Sequence, residues 1–153
     1  GRVYHRPIVA VNFSRESRRA LELTMRLCPA STPIEVLHVV DLREDEDAPL
    51  AEQLRLRQER EDAARRALGR FLAPYRETGR VMESRLRFGD PCECILAEAR
   101  ERDSDLLTLG MSSANPPTAL TEGVLRHSRC DVLISRHAAP PATLPDGGGA
   151  PAS

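Results

Sequence analysis

Residues 87–110, RFGDPCECILAEARERDSDLLTLG, carry the signals that decide the fold. Gly89-Asp90-Pro91 is turn chemistry. Proline has no N–H to give and suits the first position of a helix, so the turn opens one. In that helix Cys92, Ile95, Leu96 and Ala99 recur at helical spacing and define one apolar face. Asp105 then precedes LLTL at 106–109, a short apolar run that predicts a buried strand. The run 81–88, VMESRLRF, enters the turn as another strand, less apolar than the rest. Strand, turn, helix and strand in this order predict a right-handed βαβ crossover and a parallel sheet.

The same alternation extends to both sides. PIVAV at 7–11 predicts a first buried strand, and Ser14 stands where a helix N-cap belongs before 15–28. There Ala20, Leu23 and Leu27 are expected inside, with Arg15, Arg18, Arg19 and Arg26 on the wet side, and Pro29 as the stop. IEVLHVV at 34–40 predicts a second strand, and the acidic stretch 42–48 a loop. A long helix is expected over 49–73 with Ala64, Leu68, Phe71 and Leu72 on one face, ended by Pro74 and Gly79. A loop from Gly110 to Pro117, a short helix over 118–128 and a last strand, VLIS at 132–135, complete the pattern. The expectation is an α/β fold, a five-stranded mainly parallel sheet with helices on both faces. Residues 1–6 form a lead, 7–136 the domain, and 137–153 a disordered tail of Pro, Gly, Ala and Ser. Such sheets bind ligands beyond the carboxyl ends of their strands. Those ends carry Asn12, Val40-Asp41, Gly89-Asp90 and Gly110.

Composition narrows the function. The chain has 153 residues, 41% hydrophobic and 29% charged, enough for one domain with a core. With 3% aromatics and no Trp, that core must be aliphatic. A net charge of -1 argues against nucleic-acid binding and against an acidic membrane surface. All 22 basic residues are Arg, so no Lys is available for a phosphate or a Schiff base. No apolar run reaches the roughly 20 residues of a membrane span, and no signal peptide is visible. Because the chain starts at Gly1 rather than Met, it is read as a trimmed form or a piece of a longer protein. Cys28, Cys92, Cys94 and Cys130 lack the paired spacing of a metal site, so reduced thiols and a cytoplasmic location are expected.

IVAVNFSRESRRALE at 8–22, LHVVD at 37–41, residues 87–110 and VLRHSRCDVLIS at 124–135 together resemble the universal stress proteins. The segments come in family order over residues 7–136. The resemblance implies an adenine-nucleotide α-hydrolase-like, Rossmann-like sheet, usually in a dimeric, cytoplasmic and regulatory protein. It also implies a comparison of two branches, of which one binds ATP. That branch has Asp after its first strand and Gly-x2-Gly-x9-Gly-[Ser/Thr] after its fourth, where backbone N–H groups cradle phosphates. Here the Asp position is Asn12, the first Gly is Gly110 and the second position is Ser113. Counting on from Gly110 reaches Gly123, followed by Val124 where Ser or Thr is wanted. Alignment on His127 of the closing Leu-Arg-His motif instead places the third Gly position at Thr118. The loop is then five residues short, and Pro116 and Pro117 remove two donors.

The resemblance therefore implies a non-enzymatic regulatory or adaptor domain without ATP or another cofactor. It is expected to form a homodimer through Val132, Leu133 and Ile134 and to serve a protein partner that the sequence does not name. The alternative is a small-molecule or adenine-nucleotide module whose reduced site uses Asn12, Val39, Gly110, Ser112, Ser113 and Thr118, with Arg126 as a further donor. A third alternative is a nucleotide hydrolase, opposed by the absent Lys and the broken loop. Asn12 equally suits a simple turn role. Cys92 and Cys94 stand where a helix dipole lowers a thiol pKa, yet residues two apart face different sides, and inert thiols are expected. His38 is expected as a packed histidine and His127 as a helix end. No catalytic or metal-ligating constellation is visible.

Overall fold

The computed structural model describes residues 3–112 and 118–137. Five strands, β1 (Pro7–Ala10), β2 (Ile34–Val40), β3 (Met82–Phe88), β4 (Leu106–Ser112) and β5 (Asp131–His137), form one sheet in the order β3-β2-β1-β4-β5. Every pairing is parallel, so the sheet is wholly rather than mainly parallel. Four helices connect them: α1 (Arg15–Leu27), α2 (Leu50–Leu72), α3 (Pro91–Glu101) and α4 (Ala119–His127).

Alternation along the central strands splits the core. Val9, Ile34 and Val36 pack with Leu21 of α1 and Leu68 and Phe71 of α2. Ile8, Leu37, Leu107 and Leu109 pack on the opposite face with Ile95 of α3 and Val124 of α4. Helices therefore cover both faces, as expected. At about 25 cal/mol per Å2 of buried apolar surface, these aliphatic side chains supply the main folding drive.

Local chemistry sets the element ends. Ser14 caps α1 by accepting from the Ser17 N–H, and Asp90 caps α3 by accepting from Glu93, with Pro91 first in the helix. Gly79 ends the 3-10 turn Ala73–Thr78 at φ 76, a left-handed position that glycine takes without strain.

Some expectations need correction. The inward face of α1 is Ser17, Ala20, Leu21 and Thr24, whereas Leu27 is exposed. Polar residues occupy the inside because their hydroxyls are satisfied: Thr24 Oγ1 donates to the Ala20 carbonyl and lies 3.0 Å from Thr108 Oγ1. In α3 the fully buried residue beside Ile95 is Glu98, which the apolar pattern missed. β4 runs beyond Leu109 to Ser112, so Gly110 lies within a strand, paired with Ser135, rather than at the start of a loop. His137, expected in the tail, is the last residue of β5. Ser113, Pro116, Pro117 and the tail beyond residue 137 lie outside the described residues.

Candidate functional site

Strand order reverses beside β1, which pairs with β2 on one side and β4 on the other. A ligand crevice opens at such a point, beyond the carboxyl ends of the strands. Here it is a cavity of about 140 Å3, lined by Asn12, Ser17, His38, Val39, Gly110 and mostly aliphatic neighbours, among them Pro91, Ile95 and Leu120. Small-molecule sites commonly enclose about 300–1,000 Å3.

Each predicted residue has a definite place. Asn12 Oδ1 accepts from the Ser14 N–H at 3.1 Å and from its hydroxyl at 2.5 Å, an Asx turn that leads the chain into α1. Between them Phe13 has φ 66, a conformation that a bulky residue holds only under external constraint. Its ring packs 4.4 Å from the His38 ring and 5.7 Å from that of Phe71. Val39 lines the cavity from β2. Gly110 allows contact: a Cβ there would collide with the backbone carbonyl of Glu16 and the nitrogen of Ser17, so only glycine lets α1 lie this close to β4. Ser112 ends β4. Thr118 is the N-cap of α4 and accepts from the Thr121 N–H, while Arg126 stands exposed in that helix's last turn. Gly123 lies inside α4, where a Cβ would meet Cys92 Sγ at 2.6 Å, so it serves the contact between α3 and α4.

The lining is nearly uncharged. His38 Nδ1 lies 2.8 Å from the Val11 carbonyl, so that nitrogen carries the hydrogen and donates it. Burial lowers the imidazole's pKa, against the opposing pull of that hydrogen bond, and favours the neutral ring. Beside the cavity, Arg43 bridges Asp41 at 2.6 Å and Asp90 at 3.0 Å. Asp41 is held at about 2 by its hydrogen bonds from Arg43. That guanidinium is already committed to two carboxylates. The thiols of Cys92 and Cys94 are pushed up, chiefly by burial and then, among other neighbours, by Asp90 and Glu93. All four cysteines are free. Among the described residues no cluster of three His, Cys, Asp or Glu could hold a metal, and no helix is long and apolar enough to cross a membrane.

A parallel sheet of this order, with its crevice between β1 and β4, defines a Rossmann-like α/β architecture. The model of the universal stress protein family matches residues 4–136, and the chain belongs to that family. No curated protein matches it. Among solved structures, hypothetical protein MJ0577 is similar at TM-score 0.77 and 20% identity, over 90% of this chain and 99% of that one. A universal stress protein family protein from Arabidopsis thaliana with AMP bound gives 0.67 and 23%, over 88% and 92%. A universal stress protein in complex with cAMP gives 0.55 and 24%, over 86% and 96%. These likenesses show the shared fold.

Proposed function

We propose that this domain is a non-enzymatic regulatory or adaptor module of the universal stress protein family that does not hold ATP. The observation that carries this reading is the crevice itself: about 140 Å3, mostly aliphatic, and lined by no cationic side chain among the described residues. A triphosphate needs charge-assisted donors worth about 1.5–3 kcal/mol each. Asn12 already spends its carbonyl oxygen on Ser14, and Arg43 is held by Asp41 and Asp90. The departures from Gly-x2-Gly-x9-Gly-[Ser/Thr] at Ser113 and Thr118 point the same way. Titration calorimetry with ATP and magnesium tests this. We expect millimolar affinity or weaker, and a dissociation constant below about 10 μM overturns the reading.

The AMP-bound and cAMP-bound structures favour a second reading, a reduced site that takes the nucleoside part alone. In that case adenosine would bind as well as AMP, and Asn12→Leu would abolish binding. ATP turnover by the purified protein would instead support a hydrolase.

A further inference from the structure

Alternation along β3 sends its two sets of side chains to different surroundings. Arg85 and Arg87 reach the fully buried Glu98 of α3, which accepts from both. Glu35 of β2 is buried in the same layer with Arg102 at 2.9 Å, and burial above all pushes its carboxyl up to about 8. The guanidiniums of that layer thus meet carboxylates. The other set, Met82, Ser84 and Leu86, lines a cavity of about 470 Å3 between β3, α2 and the turn Ala73–Thr78. That is more than three times the crevice beside Asn12 and lies within the about 300–1,000 Å3 of small-molecule sites.

The floor of this cavity is apolar and continuous with the core. Leu68 is buried, and Leu72, Met82 and Leu86 are half-buried against the same cluster. Gly69 adds no side chain to fill the space, and a Cβ there would have the Arg76 guanidinium as its nearest neighbour, at 3.7 Å. The rim is cationic. Arg65, Arg76 and Arg80 line the cavity and no Asp or Glu does. Arg65 is offset by Glu61 at 2.6 Å. Arg80 donates to three backbone carbonyls, and no carboxylate among the described residues pairs with its charge. Arg76 is less engaged still. It reaches the Gly69 carbonyl at 3.4 Å and forms no ion pair among the described residues.

Water in this cleft solvates the guanidiniums but not the leucines and the methionine, and an inorganic anion answers the charge alone. A ligand with an anionic head and an aliphatic chain answers both. We propose that the cavity binds an unbranched acyl carboxylate, its head held by Arg76 and its chain laid along Leu72, Met82 and Leu86. A guanidinium takes a carboxylate through two parallel N–H···O bonds, and Arg76 has donors to spare for them. This is a second site, independent of whether the crevice beside Asn12 takes a nucleotide.

Octanoate, hexanoate and neutral 1-octanol, titrated into the whole chain by calorimetry and NMR, test the site. We expect saturable octanoate binding with a dissociation constant below about 1 mM. The methyl resonances of Leu72, Met82 and Leu86 should shift, and the amides of Asn12 and Gly110 should stay still. Hexanoate, two methylenes shorter, should bind roughly 15-fold more weakly, at about fourfold per buried methylene. Arg76→Gln should weaken octanoate at least about tenfold and leave octanol unchanged. Gly69→Leu, which puts a side chain into the cavity, should remove both. A constant above about 1 mM, or an equal response to acetate, overturns the proposal. So does an octanoate affinity indifferent to Arg76→Gln, or a set of shifts centred on the crevice. Binding confined to vesicles of anionic phospholipid overturns it too, because it marks a membrane surface instead. Arg76 is exposed, so its variant should fold, and the shifts of the unmodified chain decide the matter even where Gly69→Leu folds poorly.

Discussion

Gly110 and Gly69 show how differently one residue type serves this fold. A Cβ at Gly110 has nowhere to go, because the obstructing atoms are backbone at the amino end of α1. Gly110→Ala must push α1 from β4, and we expect a loss of about 1–3 kcal/mol in urea unfolding. Gly69 sits inside α2 with its nearest neighbour, the Arg76 guanidinium, at 3.7 Å. Gly69→Ala should therefore stabilise by about 0.5–1 kcal/mol, because helical glycine carries a needless entropic cost. If the two substitutions shift the midpoint in the same direction, the tight α1–β4 contact is wrong. The resemblance marked Gly110 only as the first glycine position of a broken motif; its packing role was not legible, because the obstructing residues lie more than 90 positions away in the chain.

At the scale of elements, α1 ends without a glycine cap. Cys28 bonds the Thr24 carbonyl, and Arg80 completes the ending from across the chain. Its guanidinium reaches the carbonyls of Met25 at 3.1 Å, Cys28 at 3.2 Å and Thr32 at 3.3 Å. A planar fork can serve three acceptors in different directions, and a cation suits a helix carboxyl end. Arg80→Met should cost about 2 kcal/mol, read as a lower denaturation midpoint at unchanged slope. Arg80→Lys should recover only a minor part, since an ammonium on a single stem cannot span all three. Equal recovery by Lys would show that charge alone matters.

At the scale of the molecule, the two sheet edges differ. β3 shows Glu83 and Arg85 to solvent, charges that discourage edge pairing. β5 carries the half-buried Val132, Leu133 and Ile134 along the other edge. A two-fold pairing of β5 with its copy is the proposed assembly. Light scattering at tens of micromolar should give twice the mass of one chain, a range where about 7 kcal/mol of association suffices. A single-chain mass there removes the proposal. Proton linkage adds a whole-molecule signature. Near Glu35 the proton is held in both states below about 4.5 and only in the folded state between 4.5 and about 8. Stability from this group therefore falls as pH rises across that window and levels off above it.

The order and kind of elements were determined by sequence alone, because periodicity, caps and proline stops act over a few residues. PIVAV, IEVLHVV and the Gly89-Asp90-Pro91 turn needed no partner to be read. The run 81–88 reads only as less apolar than the other strands, and its place at the sheet edge came from the fold. Tertiary structure alone decided which polar residues go inside. Glu98 reads as a helix-surface charge until Arg85 and Arg87 meet it from β3, and Thr24 as a wet residue until Thr108 lies beside it. The physical reason is range: burial of a polar group becomes tolerable only through partners that the local chain does not contain.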